Sequence, residues 1–540
     1  MQSGTNAPLA STPINSDTSQ RIPMKISDLP LQYNCVNVLE HNLPKRTDKV
    51  ALYSLEREMT FGQVSEEVNQ VANAFDKLGV GMGTAVAMLS LDVPEWVTAF
   101  FGVMKVGGIA VGMSTTLTAP DYAYMLDDSR TRVLILHESL LPKVEAMLAE
   151  RPFLKHVVVI GNATSAKVET VPYTEWIRGE SKEREVAPTH QDDFCTLNYT
   201  SGTTGRPKGI MHAHKDMPIS SQLYTVNTLG LGENDRTFSI ARLFFTYGLG
   251  VNLFSPWHVG ASTVLCSEPP RKAVVVLETI DRFKPTFLFN VPTGYASMMA
   301  VEGFGTQYDL SSLRLCAAAG ESLPEALWKS WKERTGLEIV ESMGTTEAFA
   351  LFLSNSPSDN RPGTIGKVVE GFEVKIVDES GDEVPAGEIG DLMVKGETFA
   401  LFYLHQYHKS QHSFRGKWLF TGDKFFVDED GYYHYAGRVD DMLKAGGIWV
   451  SPIEIESTLR THQAVYECCV MGRADGDGLV KPKAFVALRD GYSPSEELSR
   501  ELIEYCKSNM APYKRPRWVE FMDELPKTAT GKIQRAALRE

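Results

Sequence analysis

Apolar and polar positions follow two different rhythms along this chain, and the change of rhythm divides it. Up to about residue 350, short apolar runs bounded by turn residues recur: TAVAMLSL, TRVLILHE, LKHVVVIG and PTFLFNVP. Each lies near a segment with helical spacing, such as VPEWVTAFFGVMKVG. Strands that alternate with helices predict α/β layers with largely parallel sheets. YSLEREMTFGQVSEEVNQVANAFDKLGV predicts a short hairpin followed by an amphipathic helix, and AFFGVMKVGGIAVGM a buried helix followed by a strand.

Around residue 360 the runs shorten and alternate. GFEVKIVDESGDEVPAGEIGDLMVKG has brief strands between turn clusters, and GDKFFVDEDGYYHYAGR predicts a hairpin closing on Asp430-Gly431. This is a small antiparallel β unit, residues 360–439. After GRVDD, a final hundred or so residues carry their own mixed pattern. The helix SPIEIESTLRTH begins it, KAFVALRDG is a strand, and PSEELSRELIEYCKSNM is a helix with Ser495 as its cap. The expected division is a disordered tail over 1–24, a large N-terminal domain over 25–439 and a small C-terminal α+β domain over 440–540. The two domains would join at Asp440. A chain of 540 residues is too long for one core, which agrees with this division.

Composition narrows the function. With 43% hydrophobic and 23% charged residues the chain fits an ordinary globular protein. Its formal net charge of −14 argues against a nucleic-acid binder, so any phosphate site must be built locally from backbone amides and a few cations. The seven cysteines are odd in number and form no CxxC pair. They read as reduced, buried thiols in a reducing compartment, and argue against a structural zinc site. The first two dozen residues lack the basic start and apolar run of a signal peptide. The most apolar stretch is too short to span a bilayer and contains Lys105. A cytoplasmic protein without a membrane partner is the expectation.

The densest chemistry lies in NYTSGTTGRPKG, Asn198 to Gly209. A Walker A loop needs GxxxxGK followed by Ser or Thr; here Gly202 and Gly205 are too close and Pro207 precedes Lys208. Thr200, Ser201, Thr203 and Thr204 offer hydroxyl donors, while Gly202 and Gly205 let backbone approach a bulky anion. FCTLNYT before the loop predicts a strand, and GIMHAHKDM after it the start of a helix. His212 and His214 lack a third ligand in sequence and read as incidental.

YTSGTTGRPKG resembles the phosphate-binding loop of the adenylate-forming superfamily: acyl-CoA synthetases, peptide-synthetase adenylation domains and firefly-type luciferases. The resemblance runs from about residue 50 to the end. It implies a small, mobile C-terminal domain, ATP and Mg²⁺ as cofactors, and a loop that cradles the β- and γ-phosphates. AAGESLP and ESMGTTEA resemble the adenine- and acyl-binding segments, which implies nucleotide contacts from Gly320, Glu321, Ser342, Met343, Gly344 and Thr345. Gly320 and Gly344 would permit flat packing against a ring, Thr346 would donate to the α-phosphate, and Glu347 would supply a hard oxygen for Mg²⁺. Met343 replaces the aromatic that stacks on adenine in many relatives. WLFTGDKFF places Asp423 on the ribose hydroxyls, with Arg438 beside it and Asp440 as the hinge. Lys532, in PKTATGKIQR, resembles the lysine that bridges carboxylate and α-phosphate, where a cation lowers the repulsion of two approaching anions.

The implied chemistry has two halves. A carboxylate attacks the ATP α-phosphorus, and a thiol then attacks the acyl-AMP after the small domain rotates. Lys444, Gly446, Gly447 and Trp449 would then meet the pantetheine arm of coenzyme A. ARLFFTYGLGVNLFSPWHVGAS resembles the benzoate-CoA ligase branch, which implies an acyl pocket from Phe245, Thr246, Tyr247 and Gly248. Gly294, Ala318, Ala319, Met343 and Ala350 would complete it. Ala350 stands where a benzoate ligase carries histidine, which opens room for a substituted ring such as an amino- or hydroxybenzoate, anthranilate among them. The partners expected are an aromatic carboxylate, ATP and CoA, with a homodimer possible in this family. A carrier protein as thiol acceptor, and an inactive relative serving as a binding module, are the alternatives. Nothing in the sequence points to luciferase-like oxygen chemistry, and intact Lys532, Glu347, Asp423 and Arg438 argue against inactivity.

Overall fold

A computed structural model describes residues 25–200, 207–268, 272–438, 443–445, 448–474, 480–510, 514–527 and 533–538. Two large sheets form the body. One has seven strands in the order Thr170–Pro172, His156–Ile160, Val133–His137, Ala85–Leu89, Ile109–Gly112, Phe194–Thr200, Lys208–Ala213. All neighbours are parallel except the last pair. The other has nine strands, with Ile339–Thr345, Leu315–Ala319, Phe287–Asn290, Arg236–Ser239, Ser262–Val264 and Val50–Tyr53 parallel at its centre. The antiparallel strands Ala350–Ser354 and Lys367–Val368 finish one edge, and Met59–Thr60 the other.

The largest core gathers residues from both sheets and the helices against them. Helix Phe61–Lys77 starts at a capping box, in which Thr60 Oγ1 accepts from Gln63 N at 3.2 Å and Gln63 Oε1 from Thr60 N at 2.9 Å. It packs on helix Pro94–Lys105, which is apolar all round and buried along nearly its whole length. Trp96 stacks on Phe100, and Phe101 on Trp257, with ring centroids 4.8 and 5.2 Å apart. No described helix is long and apolar enough to cross a membrane.

The small antiparallel unit contains Glu373–Val377, Gly390–Lys395, Phe414–Arg415, Trp418–Val427 and Tyr433–Arg438, and its last hairpin turns at Asp430-Gly431 as expected. Beyond it lie the hairpin Leu443–Ala445 with Ile448–Val450 and a three-stranded sheet, Val465–Ala474, Val480–Leu488 and Trp518–Phe521. Helices Pro452–Arg460 and Glu496–Asn509 share a core with it that includes Leu443, Ile455, Leu459, Val486 and Leu502. Ser495 caps the second helix, accepting from Leu498 N at 3.1 Å. The Ser451 hydroxyl donates to the Ala436 carbonyl and ties this smaller unit to the strand Tyr433–Arg438.

One expectation is corrected. GIMHAHKDM does not start a helix: Lys208–Ala213 is a strand, antiparallel to Phe194–Thr200, and the helix begins only at Asp216. Pairing with the sheet edge supplies its backbone hydrogen bonds and outweighs the local pattern. The seven cysteines are free and buried, as expected.

Candidate active site

Two hairpins and a connecting segment converge beside the small β unit. The first hairpin turns where strand Ile339–Thr345 runs into the tight turn Thr346–Ala348. Thr345 Oγ1 accepts from Ala348 N at 3.2 Å, and Phe349 adopts a left-handed φ of +47° before the chain returns along Ala350–Ser354. Such a conformation at a non-glycine costs about 1 kcal/mol or more, and persists here because the strands on both sides are paired. The turn presents Thr346 and Glu347, both partly exposed.

The second hairpin is Phe194–Thr200 with Lys208–Ala213, in which Thr200 faces Lys208 in register. Segment 400–404 joins the two hairpins. Leu404 N donates to Gly209 O and Ala400 N to Glu347 O, each at 2.8 Å. The Tyr403 hydroxyl donates to Glu347 Oε1 at 2.8 Å, and Lys208 Nζ sits 5.3 Å from the centre of the Tyr403 ring. Partial burial first, and Lys409 beside it second, lower Lys208 to about 8.

A buried pair built on His212, which sequence reasoning read as incidental, holds the hairpins together. His212 Nε2 meets the Thr346 carbonyl at 2.7 Å, and His212 Nδ1 meets Asp216 Oδ2 at 2.9 Å. A carbonyl only accepts, so Nε2 carries the proton. Asp216 Oδ2 also accepts from Ala213 N at 2.9 Å. The sequence signal was there, a histidine four residues before an aspartate. Its partner Thr346 is 134 residues away.

Asp423 lies opposite Arg438 across the third sheet, with Nη1 2.9 Å from Oδ1. It is only 3% exposed, and burial pushes its carboxyl up to about 6 although Arg438 pulls the other way. Glu341 is also forced up, to about 8, by burial. Its Oε1 accepts from Leu323 N at 2.8 Å, which anchors the turn bearing Gly320 and Glu321 to the strand bearing Met343.

The predicted acyl residues fall at the start of a helical run, Thr246–Leu249. Phe244 and Phe245 hold their rings 4.6 Å apart, and Thr246 Oγ1 lies 3.4 Å from Thr346 Oγ1. Tyr247 packs edge-on to Phe289 at 6.3 Å, and its hydroxyl is buried with no hydrogen-bond partner among the described residues. Ala350 is buried on the strand that pairs with Thr345. Met343 stays partly exposed one strand residue before Gly344.

Several expectations are corrected. The Ser342 side chain does not face the site. It is 2% exposed, with its hydroxyl 2.8 Å from both Tyr224 Oη and Ser354 Oγ, inside the core. Ala318 is 0% exposed in the core that includes Tyr295 and Trp331, because alternate residues of a strand face opposite sides, so its side chain packs into that core. Ala319, one position on, belongs to the opposite core and is buried too. Protein neighbours alone already exclude a side chain at Gly294 and Gly344. An added Cβ would lie 2.1 Å from Asn290 Oδ1 in one case and 2.0 Å from the Ala350 carbonyl oxygen in the other. Gly248 is buried, and an added Cβ there would lie 2.2 Å from the Ala241 carbonyl oxygen. Ser201, Gly202, Thr203, Thr204, Gly205, Asp440, Gly446, Gly447 and Lys532 lie outside the described residues, as do the side chains of Lys444 and Trp449, whose backbones face each other in a hairpin.

Comparison with known proteins gives this geometry a context. Residues 39–404 match the family model of AMP-binding enzymes, and residues 454–532 that of the AMP-binding enzyme C-terminal domain. The chain is 42% identical to a benzoate–CoA ligase of Thauera aromatica, covering 95% of this chain and 96% of the relative. It resembles the crystal structure of the anthranilate CoA ligase AuaEII in complex with anthranoyl-AMP, with a TM-score of 0.91, 56% identity, and 96% and 98% of the two chains covered. A benzoate CoA ligase from Burkholderia xenovorans LB400 superposes with a TM-score of 0.87 at 37% identity, over 94% of this chain and all of that one.

Proposed function

This chain belongs to the family of AMP-binding enzymes, and we propose that within it the protein is an ATP-dependent aryl-carboxylate:CoA ligase whose substrate is an ortho-substituted benzoate of the anthranilate type. The observation that carries the ring assignment is Tyr247. Its buried hydroxyl has no partner among the described residues, its ring packs edge-on against Phe289, and the adjacent Thr246 reaches Thr346. A buried hydroxyl left unpaired costs about 1–3 kcal/mol, and a ring that carries an amino group would satisfy it. Ala350 is smaller than the histidine that a benzoate ligase would carry there, and it pairs with Thr345 beside Thr346, which favours a substituted ring. The relative solved with anthranoyl-AMP supports the same reading.

In the first half-reaction the acid's carboxylate oxygen attacks the α-phosphorus of ATP, the bond to the bridging oxygen breaks, and pyrophosphate leaves with acyl-AMP formed. Thr346 holds the α-phosphate, Asp423 the ribose hydroxyls, and Lys208, with residues 200–205, the outer phosphates. Lys532 lowers the repulsion between the two anions. Glu347 suits Mg²⁺: it is a hard carboxylate, only partly exposed and held by Tyr403 through one oxygen. That ion would neutralise phosphate charge. In the second half-reaction the CoA thiolate attacks the acyl carbon and AMP leaves, after the small domain turns at Asp440 to bring Lys444, Gly446, Gly447 and Trp449 forward.

The test is pyrophosphate and AMP release with 2-aminobenzoate, benzoate, hydroxybenzoates, cyclohexanecarboxylate and octanoate, each with and without CoA. CoA-dependent turnover greatest on 2-aminobenzoate is the expected result. A preference for octanoate would refute the aryl pocket, and adenylation indifferent to CoA would point to a carrier protein.

A further inference from the structure

Behind the hairpin that bears Lys208, three groups distant in sequence meet in the dry interior. Cys35, Cys195 and His214 are each 0% exposed, and their ligand atoms lie within 4.8 Å of one another. Cys35 Sγ is 3.9 Å from Cys195 Sγ and 3.2 Å from His214 Nδ1. Two buried thioethers close the set: Met104 Sδ is 3.2 Å from Cys35 Sγ, and Met217 Sδ 4.0 Å from Cys195 Sγ. His214 Nε2 is buried without a partner among the described residues, while Nδ1 accepts from Cys35 N at 3.1 Å.

We propose that this cluster binds one monovalent soft d¹⁰ cation of the Cu(I) class, with Cys35 as thiolate, His214 as imidazole ligand, and Cys195, Met104 and Met217 as the remaining sulfur donors. The spacing suits an ion. With metal–sulfur bonds of about 2.3 Å, sulfurs 3.9 Å apart subtend about 116° at the metal, between tetrahedral and trigonal. The donor set selects the ion, since thiolate, thioether and imidazole together favour Cu(I) over the hard divalent cations.

Binding exchanges the Cys35 thiol proton for the metal, with no change of oxidation state: one S–H bond breaks, one S–metal bond forms, and one proton leaves. The ion would tie the segment at Cys35, helix Pro94–Lys105, strand Phe194–Thr200 and the end of strand Lys208–Ala213 together at the base of the active-site hairpin.

The full-length reduced protein is titrated with Cu(I) without oxygen, against a competing chromophoric chelator, and in parallel with Zn²⁺. Expected are one Cu(I) retained per chain, one proton released per ion and a raised Tm. Cys35→Ser and Cys195→Ala each reduce retention at least about tenfold. Met217→Leu keeps the volume and weakens Cu(I) binding while leaving the metal-free Tm within a few degrees, which separates lost ligation from lost folding. No retained copper, equal retention in Cys35→Ser, or Zn²⁺ displacing Cu(I) at equal concentration overturns the proposal.

Discussion

Lys208 links the proposed phosphate site to a measurable pH limb. Its ammonium is partly buried against Tyr403 and faces the Lys409 side chain, and together these bring it down to about 8 from an ordinary 10.5. A neutral amine does not attract polyphosphate, so kcat/KM for ATP falls as pH rises through about 8. One pH unit higher, about a tenth of the enzyme carries the charge. Lys409→Met removes the second contribution and leaves the first, so the limb moves upward without returning to the ordinary lysine value. A shift of about one unit raises the charged fraction at pH 9 from about a tenth to about a half, and kcat/KM for ATP at that pH, relative to its plateau, by about fivefold. The assay is initial-rate pyrophosphate release at subsaturating ATP between pH 6 and 10, with the aryl acid saturating. An unmoved limb in Lys409→Met would refute the reasoning, and so would a limb in the parent near 10.

On the acid side, Asp423 is protonated below about 6 and then loses acceptor capacity toward the ribose it is proposed to hold. KM for ATP should rise as pH falls through 6, and Asp423→Asn should raise it at all pH values and flatten that limb. The folded state binds this proton more tightly than the unfolded chain, so its ionisation lowers stability between about pH 4 and 6, which urea titrations of parent and Asp423→Asn across that range will reveal. His212→Leu strands the Thr346 carbonyl and Asp216 in the core. It should cost about 1–3 kcal/mol in urea unfolding and slow adenylation more than it raises KM for CoA; an unchanged first half-reaction would mean that Thr346 is placed by other contacts. Tyr247→Phe removes a hydroxyl that has no described partner, so Tm should hold or rise, while kcat/KM for 2-aminobenzoate falls at least about tenfold against benzoate. Equal losses on both acids would remove Tyr247 from ring selection.

Much of the fold was legible because its signals are local. The apolar runs around Val86, Leu134, Val158 and Leu288 are strands, Ser495 caps the helix it precedes, and the turn at Asp430-Gly431 closes the hairpin read from it. Where the reading failed, a long-range partner decided. GIMHAHKDM has helical spacing, yet the edge of a sheet was within reach and paired with it. Ser342 and Ala318 sit inside motifs that point to nucleotide and substrate, but strand alternation turns their side chains into the core.

The chemistry divides along the same line. Motif order and residue type alone pointed to a phosphate site, because loops that hold phosphate need glycines, hydroxyls and a cation at close spacing, and the family resemblance those motifs carry implied activation of a carboxylate with ATP. Tertiary structure decided which groups those motifs can use. It brought His212 to Thr346 across 134 residues, Tyr403 to Glu347 across 56 and Cys35 to Cys195 across 160. It also buried Asp423 and Lys208 far enough to move their proton affinities. Hydrogen-bond partners and desolvation depend on which distant segments pack together, and no local pattern carries that information.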